Sequence, residues 1–158
     1  MFFPNSFNPQ EFYMHFLQIL NMGKFLNKLD RMLLQFLSAL KKLRIRYVVV
    51  SGYVAILFGR SRMTEDIDIL VEDLSFKRFS KLWNLLHSKN FSCLNSSSKE
   101  EAFDEFFKKG LGLRFAKAKT FIPNVELKKV KNQIDILTLK KRKRVKLKNS
   151  FIYISPLE

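Results

Sequence analysis

Apolar residues recur along this chain at two different periods, and the change from one to the other marks the elements. Over residues 24–43, Phe25, Leu26, Leu29, Leu33, Phe36, Leu37 and Leu40 fall on one side of a 3.6-residue repeat, with Lys28, Arg31, Lys41 and Lys42 largely off it. This predicts an amphipathic helix that buries one stripe. A second stripe of Phe79, Leu82, Trp83, Leu85 and Leu86 predicts a helix ending near Ser88, with Ser75 as its N-cap. Between the two, 47–50 is a continuous apolar run that reads as a buried strand. Ser51 and Gly52 break it, 53–58 reads as a short apolar helix, and a basic loop leads into a strand carrying Asp66 and Asp68.

Further on, 91–98 predicts a short strand with a serine-rich turn, and 99–109 a helix closed by Gly110. Residues 112–118 predict another strand, followed by an irregular connection through Pro123. The segment 132–139, NQIDILTL, predicts a further strand. In the second half of 140–148, Val145 and Leu147 alternate with Lys146 and Lys148, as in an edge strand whose lysines discourage sheet-to-sheet pairing. Asn149 and Ser150 turn it back into Phe151, Tyr153 and Pro156. At the other end, Phe12, Phe16, Leu17 and Leu20 follow Pro9 at helical spacing and predict a short N-terminal helix. Helices and strands in this order indicate an α/β (α+β) fold.

Side chains alternate across a strand, so Asp66 and Asp68 share one face while Ile67, Ile69 and Val71 take the other. Two carboxylates ~6.5 Å apart on one face are either a solvated polar edge or ligands for a hard cation such as magnesium. Upstream, Ser51 and Gly52 lie between a strand and a helix start, where free N–H groups and the helix dipole attract phosphate. A phosphate cradle and a metal site in one short unit suggest a metal-bound nucleoside triphosphate. Asp135, flanked by Ile134 and Ile136 in its predicted strand, needs a partner if buried, and the cation of the first two aspartates is the natural one.

The stretch SGYVAILFGRSRMTEDIDIL resembles the signature of the nucleotidyltransferase superfamily of DNA polymerase beta type. Its Gly-x-Ala, Gly-x-x-Arg-x-Thr and Asp-Ile-Asp elements are most similar to the minimal and AbiEii-like nucleotidyltransferases of prokaryotic toxin-antitoxin systems. Gly52, Ala55, Gly59, Arg62, Thr64, Asp66 and Asp68 occupy matching places, whereas Ser51 replaces the first glycine. The resemblance implies a nucleotidyltransferase fold, a small mixed twisted sheet flanked by helices, with the predicted N-terminal helix as an addition. It implies a domain over 23–158 preceded by an extension over 1–22, and Met22 as an alternative start. It also implies a third acid on a later strand beside the first pair, a place that Asp135 fits. The C-terminal helices of longer relatives are absent, which suggests a minimal core, a truncated product or half of a split pair.

The function implied is magnesium-dependent transfer of a nucleoside monophosphate from an NTP to an acceptor hydroxyl, with release of pyrophosphate. Asp66, Asp68 and Asp135 are then catalytic and metal-binding, with one or two Mg2+ ions as cofactor. Ser51 and Gly52 cradle the triphosphate, Arg62 and Arg60 neutralise its charge, and Thr64 stabilises the loop. The acceptor is a tRNA, a protein or a small molecule, and an antitoxin or helical protein is the expected partner. The alternative is a non-catalytic nucleotide- or RNA-binding protein that retains the fold.

Composition narrows these readings. The 158 residues suffice for one domain with a modest core. A net charge of +15 and a pI near 10.1 point either to polyanionic partners or to a composition set by solubility or a lysine-rich cytoplasm, and the run KKRKRVKLK is either a solvated edge or a nucleic-acid backbone track. Cys93 stands alone, so there is no internal disulfide and no multi-cysteine zinc site. His15 and His87 have no companion ligands at useful spacing. The acids Glu100, Glu101, Asp104 and Glu105 suit the positive end of a helix dipole. With no run approaching ~20 apolar residues and no secretory signal pattern, a cytoplasmic location without a membrane span is expected.

Overall fold

The computed structural model describes residues 27–50 and 66–156. The predicted N-terminal helix, the extension over 1–22, and Ser51, Gly52, Arg60, Arg62 and Thr64 lie outside the described residues.

Helix α1, Lys28–Lys42, starts at Asn27, whose side chain accepts from the Asp30 N–H while Asp30 accepts from the Asn27 N–H. This reciprocal pair satisfies two of the donors that a helix start leaves open. Of the apolar stripe read from the sequence, Leu33, Phe36, Leu37 and Leu40 are fully enclosed and Leu29 is half-buried, while Phe25 and Leu26 lie outside the described residues. The strand β1, Tyr47–Val50, follows, and then β2, Asp66–Val71. Helix α2, Phe76–Ser88, is capped by Ser75 through the Arg78 N–H, and its Phe79, Leu82, Trp83 and Leu86 are buried. His87 Nδ1 lies 2.8 Å from the Trp83 carbonyl, a contact near the helix end. The strand β3, Phe91–Cys93, leads to α3, Lys99–Glu101, which widens into a π-helical turn over Ala102–Phe107. Gly110 then stops the helical segment with a φ of 74°, a left-handed turn that glycine adopts without penalty.

The remaining elements are β4, Leu113–Lys117, β5, Asn124–Lys129, α4, Gln133–Lys140, β6, Lys143–Leu147, and β7, Ser150–Ile154. One of these was given no element by the sequence reading, and one differs from it. Residues 124–129, which lie between the connection through Pro123 and the segment 132–139, form a strand. Residues 132–139, expected as a strand, form a helix. Asn132 caps that helix by accepting from the Asp135 N–H at 2.8 Å, a start signal that outweighs the isoleucines' preference for strands. The expectation for Asp135 rested on buried apolar neighbours, yet Ile134 and Ile136 are 74% and 50% exposed.

The described strands form one mixed seven-stranded sheet in the order β3-β4-β5-β2-β1-β7-β6. The pairs β2–β5 and β1–β7 are parallel, and the rest are antiparallel. One sheet face supplies Val49, Ile67, Ile69, Val71, Val125 and Leu127 to a core shared with α1 and α2. Phe36 anchors it by an edge-on contact with Phe91, 5.4 Å between ring centroids. Asp66, Asp68 and Leu70 point to the opposite face, where α4 touches β1 and β2. The basic β6 is an outer strand, as its lysine alternation predicts. No described helix is long and apolar enough to cross a membrane.

Candidate metal centre

The second strand of the sheet fixes the first two acids. Ile67, Ile69 and Val71 are drawn into the core, so the pleat turns Asp66 and Asp68 outward together. The neighbouring β5 runs parallel with Asp66 opposite Asn124 and Asp68 opposite Glu126. Val125 and Leu127 are buried, so Glu126 also faces outward. Asp66, Asp68 and Glu126 each offer a carboxylate oxygen, and the three oxygens lie within 4.8 Å of one another.

Glu126 is held from two sides. Lys128, two residues along the same strand, places its ammonium 3.3 Å from Glu126 Oε1. Gly112, at the entry to β4, leaves the room the side chain occupies: a Cβ at that position would stand 2.8 Å from Glu126 Cγ. The Asn95 amide fixes this turn, donating to the Gly112 carbonyl and accepting from the Arg114 N–H, both at 3.0 Å. An added Cβ there would oblige the Glu126 side chain to shift, a matter of close approach and not of backbone conformation.

These acids line an open cleft of about 410 Å³ with Val50, Lys128 and Asp135. The structure thus brings Asp66, Asp68 and Asp135 to one cleft, with Asp135 in a different role from the other two. Its carboxylate accepts from the Lys131 N–H at 3.1 Å and closes the start of α4. Glu126 stands in the triad instead. Sequence reading missed it, although the alternation of Val125 and Leu127 with Glu126 and Lys128 carried the period-two signal. Ser51 and Gly52 follow Val50 in the chain, outside the described residues.

The donor set is oxygen only, anionic and contributed by two adjoining strands, which suits a hard divalent cation and not zinc on thiolate or imidazole. Asn124, opposite Asp66, has an amide oxygen that is buried with no hydrogen-bond partner among the described residues, but it does not line the cleft. Comparison with models of known families gives no match, and comparison with curated proteins gives none at a significant level.

Proposed function

We propose that this protein is a magnesium-dependent nucleotidyltransferase that moves a nucleoside monophosphate from an NTP to an acceptor hydroxyl and releases pyrophosphate. The observation that carries this reading is the convergence of Asp66, Asp68 and Glu126, three carboxylate oxygens within 4.8 Å on the outward face of the sheet. These residues would hold the cation, and Glu126 takes the third place that the resemblance to nucleotidyltransferases assigned to Asp135. When bound, the ion supplies charge neutralisation for the entering and leaving oxygens of an in-line displacement.

The chain's own residues position the reactants. Lys128 and Lys131 line the cleft and would offset triphosphate charge. Asp135, tied to the Lys131 N–H, fixes the start of α4 beside the cleft and so helps shape its wall. Ser51, Gly52, Arg60 and Arg62 are assigned to the triphosphate by the sequence resemblance alone. The acceptor's chemistry, and any antitoxin or helical partner, follow from that resemblance too.

The test is incubation with α-labelled NTPs, magnesium and candidate acceptors, with Mn2+ binding followed in parallel by electron paramagnetic resonance. Transfer of label and Mn2+ binding that both collapse in Asp68→Asn are expected. Equal labelling by Asp68→Asn and the unchanged protein overturns the proposal. Magnesium-dependent nucleotide binding without turnover selects the non-catalytic alternative.

A further inference from the structure

At the opposite end of the sheet from β3, the hairpin of β6 and β7 gathers charge of a single sign. No acidic residue lies between Asp135 and Glu158, and the run 140–148 carries seven Lys and Arg. In the hairpin, Arg144 stands opposite Tyr153 and Lys146 opposite Phe151. Val145, Leu147, Ile152 and Ile154 are buried, so alternation turns Arg144, Lys146, Phe151 and Tyr153 to the other face. There guanidinium groups and rings interleave along the diagonal. Arg144 Cζ sits 3.8 Å from the Phe151 ring centroid, and Arg142 Cζ sits 4.1 Å from that of Tyr153. Phe151 remains 41% exposed.

Helix α1 delivers more charge to the same edge. Its last turn brings Lys41, whose ammonium donates to the Phe151 carbonyl. Burial, and after it the positive charge of Arg144, lower the pKa of Lys41, as expected where like charges are crowded.

Keeping an edge strand from pairing needs only a few lysines. Arginines stacked on Phe151 and Tyr153, with Lys41 arriving from α1, go beyond that need. A row of cations complements a row of phosphates, and rings backed by guanidinium planes complement the faces of unpaired bases. Anionic lipid and acidic peptide match the charge but offer no base to stack. Unpaired bases are the rule in RNA loops and ends. We propose that the β6–β7 hairpin binds single-stranded RNA, with Lys41, Arg144 and Lys146 on the phosphates and Phe151 against a base. This surface is independent of the chemistry assigned to the cleft.

The experiment is fluorescence anisotropy of the full chain with a labelled single-stranded RNA across a salt series. The double variant Arg144→Gln/Lys146→Gln should bind about tenfold more weakly, and its log–log salt slope should fall by about 1.4, from ~0.7 per phosphate contact on a single strand. Phe151→Ala should bind at least about fivefold more weakly with the slope unchanged, because stacking carries no counterion. Lys146→Gln alone, at an exposed position, should give a smaller loss in the same direction without perturbing the thermal melt. Asp68→Asn should bind RNA as the unchanged protein does, which separates this surface from the cleft. An equal loss from Lys77→Gln/Lys81→Gln on α2 overturns the proposal, as does equal affinity for blunt duplex DNA. So does hairpin-dependent capture by phosphatidylserine vesicles in the absence of RNA binding.

Discussion

The two ends of β2 carry the same kind of side chain in opposite surroundings. Just past its last residue, Glu72 accepts from the Arg46 N–H at 3.1 Å and from Arg46 Nε at 3.2 Å, with Arg78 Nη1 at 3.3 Å. At the first residues, Asp66 and Asp68 meet Glu126 from the neighbouring strand, acid facing acid within 4.8 Å. Glu72 ties β1, β2 and α2 together with cations that the fold itself supplies. The acids of the other end are brought together by the pleat and the strand register, and a shared cation would relieve their mutual repulsion. A lone carboxylate between two arginines is structural, whereas three carboxylates gathered within 4.8 Å, with Lys128 beside Glu126, form an oxygen set that a divalent cation could share.

The sharpest way to break that contrast is to remove acids one at a time. Asp68→Asn should lower Mn2+ affinity and any transfer rate by at least about 100-fold, since loss of a ligand should exceed the ~10–100-fold cost of losing an outer partner. Glu126→Gln, the loss of another ligand, should cost a comparable amount in ion affinity, and Asp135→Asn less than about threefold, because the Asp135 carboxylate serves the Lys131 N–H at the start of α4. Isothermal titration with Mn2+ checks both. Equal losses at Glu126 and Asp135 would return the third place to Asp135.

A subtler intervention leaves every ligand intact. Gly112→Ala forces the Glu126 side chain to move, because the new Cβ would stand 2.8 Å from its Cγ. Ion affinity should fall about tenfold through misplacement of one carboxylate. The magnesium-induced rise in melting temperature should shrink in step, as linkage requires. An unchanged ion affinity would show that Glu126 can relocate without leaving the site.

How much of this was legible beforehand depends on the range of the interactions involved. Helix α1 was readable because Leu33, Phe36, Leu37 and Leu40 repeat on one face, and α2 because Ser75 marks its start. The outward pairing of Asp66 and Asp68 is a local property of alternation, so it too was readable. Glu126 was not, because its place beside Asp68 depends on β5 lying next to β2, a neighbour relation between distant segments. Asp135 was misread for a local reason: a cap at Asn132 competed with an apolar run, and burial of Ile134 and Ile136 was assumed where both are exposed. The fold class and the first two acids therefore came from periodicity, while the third acid needed tertiary structure.

The smallest expected effect concerns the structural end of β2. Burial alone would raise the Glu72 pKa, but the Arg46 N–H, the Arg46 guanidinium and the charge of Arg78 outweigh it and hold the carboxyl below its ordinary value. A depressed folded pKa means that the contribution is fully present above the unfolded pKa and is lost as pH falls through the folded one. Arg46 and Arg78 are both well exposed, so screening limits the gain, and Glu72→Gln should cost only ~0.5–1 kcal/mol at neutral pH. Urea melts of the two proteins should differ at pH 7 and converge below the usual glutamate range. At neutral pH the difference should also narrow with added salt. Ion affinity at the other end should stay unchanged, because the arginines around Glu72 serve the fold and not the cleft. If Glu72→Gln weakened Mn2+ binding as strongly as Glu126→Gln, the two ends of the strand would form one coupled acidic system and the division between them would be lost.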